Sequence, residues 1–183
     1  TDFRQNRNQN PRRTNAMPTT YTTDNGEITA IVADLIATQC ITLRQADVTY
    51  EVLLAASENP DKSPPVKAFG LPTHASIKIN SLQDRVAGAK DFRITVDEAK
   101  FTCADDERQR AIIHALLMRL EVRRNKDGSM MTDDAARPKL KLLKLDFVAG
   151  GMYDAAERYR HAYPAYAVFQ ALGLELRNEA EAA

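Results

Sequence analysis

The apolar period of this chain switches from about 3.6 residues to 2 and back again, and that switch limits what it can fold into. Ile28, Ile31, Val32, Leu35 and Ile36 recur at the spacing of one helix face. They predict a helix over 27–39, opened by Asp24 and Glu27 in the manner of a capping box. Val48, Tyr50 and Val52 alternate with polar neighbours and predict a strand over 47–54. The same alternation at Ala75, Ile77 and Ile79, and at Phe92, Ile94 and Val96, predicts two more strands. Leu82 to Ala89 reads as a short helix or a loop ending near Gly88. Helical character returns over 105–124, with acids in the first turn and arginines in the last, the arrangement the helix dipole favours. Leu140, Leu142 and Leu143 begin a strand or a helix, and helical segments follow over 152–162 and 166–174, broken near Pro164. The class is therefore α+β: an N-terminal helix, a three- to four-stranded sheet, a central helix and C-terminal helices.

At 183 residues, the chain suits one domain plus a tail. Residues 1–22 are rich in Asn, Arg, Thr and Gln and hold too little apolar surface to offset the entropy of ordering. They are expected to form a flexible or partner-ordered arm, followed by a single domain over 23–176 and a frayed end over 177–183. Total charge is balanced at 25 basic and 25 acidic residues, so overall composition gives no reason to expect nucleic acid or an anionic membrane. The arm is locally basic through Arg4, Arg7, Arg12 and Arg13. No apolar run reaches the length of a membrane span and no signal-peptide pattern opens the sequence, so neither membrane nor secretion is expected. Two cysteines, Cys40 and Cys103, make no disulfide framework and are expected as buried thiols.

Several ordered blocks carry a family resemblance. They are Ala33-Asp34-Leu35-Ile36-Ala37; Val66-Lys67-Ala68-Phe69-Gly70-Leu71-Pro72 leading into Lys78-Ile79-Asn80-Ser81-Leu82-Gln83-Asp84-Arg85; and Asp91-Phe92-Arg93-Ile94-Thr95-Val96-Asp97. Then come the helix ending Leu120-Glu121-Val122; Asp127-Gly128 with Arg137-Pro138-Lys139-Leu140-Lys141 and Lys144-Leu145-Asp146-Phe147; and Ala156-Glu157-Arg158-Tyr159. In order and spacing the chain resembles the putative phage metallopeptidase domain family, small zincin-like proteins of bacteriophages and prophages. The resemblance spans about 26–160 and implies a zincin-like domain, a phage source, and a place in the virion or the host cytoplasm.

It also implies where a zinc site should lie. Family members carry His-Glu-x-x-His on the central helix, two ligands one turn apart with a Glu to activate the metal-bound water, and a third His in a Lys-His-Asp segment. Here those positions read Ala115, Leu116, Arg119 and Leu145. No ligand and no general base remains, so no metal, no cofactor and no peptidase activity are expected. His114 adjoins the motif, but one residue along a helix turns a side chain by about 100°, and its i+4 neighbour is Met118. An ordinary structural histidine is expected there, and His74 and His161 show no ligand spacing with it. Glu121, Asp146, Asp154 and Glu157 could converge, or could serve as partners for Arg119, Arg123 and Arg158.

Binding is then the expected role, through a protein partner in phage assembly or in the host. The residues offered for it are Arg4, Arg7, Arg12 and Arg13 of the arm, with Arg119, Arg123, Arg124, Lys139, Lys141 and Lys144 as a basic patch. Two alternatives stay open: a metallopeptidase with a non-standard site built around His114, and a nucleic-acid-binding accessory protein using arm and patch. The Lys139–Lys144 run can equally be a strand with lysines outward. Tyr153, Tyr159, Tyr163, Tyr166 and Phe169 are expected chiefly as core. Sequence gives no oligomeric state.

Overall fold

Four strands and the helices packed on them build the fold in a computed structural model that describes residues 18–68, 70–145 and 152–171. In chain order the sheet strands are β1 (Thr19–Thr23), β2 (Tyr50–Ser57), β5 (Ala75–Ile79) and β6 (Phe92–Asp97), and the order across the sheet is β1-β2-β6-β5. β2 and β6 pair in parallel, with Tyr50 opposite Phe92 and their rings stacked 5.7 Å apart; β1 and β5 are antiparallel edges. The small hairpin of β3 (Lys67–Ala68) and β4 (Leu71–Pro72) lies between β2 and β5 in the chain. The α+β class holds.

The inward alternation of β6 explains its place. Phe92, Ile94 and Val96 are wholly buried against α1 (Glu27–Thr38) and α5 (Asp106–Leu117), where Val32, Leu35, Ile113 and Leu117 complete the main core. On the other face Arg93 reaches across to Glu51 at 2.7 Å. The short helices α2 (Ile41–Gln45), α3 (Leu82–Val86) and α4 (Glu98–Thr102) fill the connections. Ser81 and Asp84 form a reciprocal capping box on α3.

Several expectations need correction. The start of α1 is capped at Gly26, not by an Asp24–Glu27 box. Asp24 instead accepts from the backbone N–H and the hydroxyl of Thr29, both at 2.7 Å. Thr19–Thr22, expected in the arm, belong to β1, because an edge strand of threonines carries no apolar signal and takes its order from β2. β2 begins three residues late, since Asp47 sits at φ 48° and turns the chain into the strand. Cys103 is exposed and Cys40 half-buried, so only one thiol is sheltered.

The central helix is shorter than its sequence pattern. α5 stops at Leu117, and Leu120–Val122 forms β7, paired antiparallel with β8 (Leu140–Leu142). Leu117 and Leu120 are three apart and fit a helix face, but Leu120 and Val122 also alternate, and pairing with Leu140 and Leu142 wins. Between β7 and β8 a long hairpin is tied by bridges Arg124–Met130 and Thr132–Pro138 and turns at Gly128, whose φ of 84° favours glycine.

Two partly buried ion pairs pin this hairpin to the rest of the domain, one at α3 and one just before β6. Asp133 accepts from the backbone of Ala135 and Arg137 and pairs with Arg85 at 2.5 Å. Arg137 grips Asp91 with Nη2 at 2.6 Å and Nε at 3.2 Å, while Thr49 donates to the same carboxylate from its N–H at 2.7 Å. Burial alone would raise the Asp91 pKa, but the bonds from Arg137 and Thr49 outweigh it and hold it low. The Arg137-Pro138 block of the resemblance is therefore an anchor.

Candidate functional site

α5 is buried on two sides, and this decides what Ala115, Leu116, Arg119 and Leu145 can do. Asp105 caps it by accepting from the Arg108 N–H at 2.8 Å, so the helix enters with its acids outward. Ile112, Ile113 and Leu117 face the main core. Ala111 and Ala115 face a second apolar cluster built from Met152, the helix α6 (Tyr153–Tyr159) and the segment beyond it, with Ala155, Ala156, Tyr159, Tyr163 and Tyr166 buried. These tyrosines serve as core; the side chains of Tyr153 and Phe169 lie outside the described ones.

The structure brings together three of the four positions. Ala115 and Leu145 share the second cluster with Met118. Arg119 lies beside Tyr163 with its Nε buried and without a hydrogen-bond partner. Burial pulls the Arg119 pKa down, with Tyr163 acting the other way. Contrary to expectation Arg119 is off the helix, in the turn between α5 and β7. Leu116 packs on the main core instead, about 100° around the helix from Ala115. A methyl group, an isobutyl group and a guanidinium supply no lone pair for a zinc ion, and the guanidinium would repel one. The residues present do not fit the metal.

Around the helix from Ala115 is a separate polar knot. His114 is 5 % exposed, its Nδ1 has no hydrogen-bond partner, and its ring meets the edge of Tyr159 at 5.6 Å. Burial, reinforced by the positive charges of Arg158 and Arg110, pushes its pKa down to about 4. Burial likewise pushes the Cys40 thiol up to about 11, with Arg158 opposing, and raises the Tyr159 phenol. Arg158 itself donates to Gln39. At neutral pH all three groups are held uncharged, so the knot contains no thiolate–imidazolium pair and no activated nucleophile.

That burial has a measurable consequence. The folded-state pKa of His114 lies below its unfolded value of about 6.5, so between those two values the unfolded chain binds more protons and stability rises with pH. Lowering pH from 7 to about 4 should remove up to about 3 kcal/mol through this one group. His114→Leu should flatten that part of the curve in thermal melts; parallel curves for the two proteins would contradict the assignment.

The other candidates are scattered. Glu121 pairs across the strands with Lys141 at 3.0 Å, Asp154 is exposed, and Asp146 lies outside the described residues. Among the described residues no group of three or more His, Cys, Asp or Glu is gathered as a metal would require. Arg123 lies beside Lys139, joined through its backbone N–H to the Lys139 carbonyl at 2.9 Å, and both are exposed. Arg124 donates to the Gly128 carbonyl. Lys144 is exposed, while Arg119 is turned inward and leaves the patch. Arg4, Arg7, Arg12 and Arg13 lie outside the described residues. Sequence reasoning missed the Asp91–Arg137 anchor, and the only signal for it was the arginine before Pro138.

A family profile described as putative phage metallopeptidase matches residues 20–172. No curated protein and no solved structure matches the chain.

Proposed function

The chain belongs to the putative phage metallopeptidase family, and from that premise we propose that it is a catalytically inactive member that acts by binding a protein. One observation carries the reading: Ala115 and Leu145, where two zinc ligands would stand, pack into the same apolar cluster. Such a cluster stabilises the fold by removing apolar surface from water, and it leaves no polar cradle for a dication or its activated water. Arg119 adds a fixed positive charge at the remaining ligand position, the second His of the helix motif. The scaffold then offers its surface in place of its former centre. Exposed Arg123, Arg124 and Lys139, together with the arginines of residues 1–22, suit a partner with an acidic face. The partner would be met in the virion during assembly or in the host cytoplasm, where binding would block a host protein.

Zinc content tests this. After dialysis against trace zinc, elemental analysis of the purified protein should find essentially no bound metal. Zinc close to one per chain, lost when His114 is replaced, would overturn the reading in favour of a peptidase with a non-standard site.

A further inference from the structure

Of the two edges of the sheet, one is guarded and one is not. β5 carries Lys78 and lies beside β8 and α5, and charge and cover of this kind keep an edge from pairing with another chain. β1 has neither. Its residues Thr19-Thr20-Tyr21-Thr22-Thr23 include no charge and no proline, and all but Thr19 are exposed. No bulge twists it away, since its register with β2 runs unbroken from Thr19 opposite Ser57 to Thr23 opposite Leu53. Among the described residues no strand pairs with its outer side.

The direction of its free backbone groups follows from one bond. Asp24 donates its N–H to the Val52 carbonyl at 3.2 Å, which makes Asp24 and Val52 a hydrogen-bonded pair of the antiparallel ladder. Such pairs alternate along the ladder, so Thr20 and Thr22 also bond inward to β2. The N–H and C=O groups of Thr19, Tyr21 and Thr23 therefore point outward, and these positions are symmetric about Tyr21. A second β1 laid antiparallel, Tyr21 against Tyr21 and Thr19 against Thr23, satisfies all of them, because each such pair exchanges two bonds. The strand is its own complement.

The surroundings agree. The sequence entering β1 holds Arg12 and Arg13, and the sequence leaving it holds Asp24 and Glu27. Antiparallel pairing sets each copy's basic entry beside the other's acidic exit. α1 raises no barrier: Asp34 turns toward Arg110 of α5, and the opposite flank carries the small side chains of Thr29 and Ala33.

We propose that two copies of this chain join through β1 about a two-fold axis at Tyr21, making their sheets continuous. A strand pair this short covers less than a standard interface, so the dimer is reversible and depends on concentration. The proposal is independent of whether the chain holds zinc, because no former ligand position lies on β1.

The test is sedimentation velocity of the full chain over a dilution series, which should show monomer passing to dimer as concentration rises. Tyr21→Pro removes an outward N–H at an edge, where proline leaves the pairing with β2 intact. It should weaken the dimer at least tenfold, with the melting temperature of the dilute monomer nearly unchanged. Tyr21→Lys and Tyr21→Glu each place like charges on opposed residues whose Cα atoms are about 5.5 Å apart. Either variant alone should stay monomeric, and an equimolar mixture of the two should dimerise. Amide exchange reads the register: Thr20 and Thr22 should be protected at every concentration, but Thr19, Tyr21 and Thr23 only where the dimer forms. A monomer up to the solubility limit, a dimer that survives Tyr21→Pro, or a mixture of the charge variants that stays monomeric would overturn the proposal. So would protection of Tyr21 that persists on dilution, the mark of an edge covered by the chain's own residues.

Discussion

Arg137→Ala should lower the stability of the domain by about 3 kcal/mol at pH 7, which corresponds to a melting temperature roughly 6–12 °C lower for a domain of this size. The reason is the partner it leaves behind. Asp91 is 1 % exposed, and without the guanidinium it keeps only its bonds from Thr49. The hairpin also loses the bond from Arg137 to the Asp47 carbonyl at 3.1 Å, in the turn that sets the start of β2. In the native protein the Asp91 pKa is depressed, so its contribution is fully present above the unfolded value of about 3.9 and is lost as pH falls through the folded value. In the variant the unpaired carboxyl is raised instead, and the penalty eases as pH falls toward 4. The gap between the two proteins should therefore narrow on acidification in denaturant melts. Arg137→Lys should fall between them, since a lysine keeps the charge but not the fork. A loss under about 1 kcal/mol, or one constant from pH 7 to 4, would mean that the anchor adds little beyond what an exposed pair gives.

Ala115→His, which puts back the first ligand residue, should destabilise the protein by about 3 kcal/mol and should not be rescued by zinc. α5 and α6 meet along a seam of alanines, Ala111 and Ala115 against Ala155 and Ala156, all buried. An imidazole there must wedge the helices apart or bury a ring nitrogen without a partner. Melting curves with and without zinc decide the matter. A restored site would raise stability by about 2.7 kcal/mol at a zinc concentration a hundred times its dissociation constant. A shift of that size would show that the zinc cradle survives and that the inactive reading is wrong.

How far the sequence could be read depended on whether the signal was local. α1, β5 and β6 lie where their periods put them, because each buries one face and the apolar positions record it. β1 was illegible: threonines on an edge strand say nothing about which neighbour will order them. The end of α5 was ambiguous, since Leu117, Leu120 and Val122 satisfy both a helix face and an alternating strand until Leu140 and Leu142 arrive to pair with them. Leu145 joined Ala115 in the argument only through the family resemblance, thirty residues away and beyond any periodic signal. Arg137 and Asp91 are 46 residues apart, and two charged residues at that separation look like any other surface pair. Cys103 was misplaced because it ends α4 on its exposed side, while Phe101, two residues earlier, is the buried member of that helix.

The parallel pairing of β2 with β6 also sets an order of events for the chain. Glu51 and Arg93, facing each other across those strands, are 42 residues apart, whereas β5 reaches β6 across a short excursion through α3. Closing the longer loop loses more chain entropy before any contact returns it. The β5–β6 pair can therefore assemble locally while the centre of the sheet waits for β2 to arrive. α5 follows β6 and packs beside β5 and α1, so one side of its floor can form with the local β5–β6 pair while the side supplied by α1 must wait for the N-terminal part of the chain to arrive.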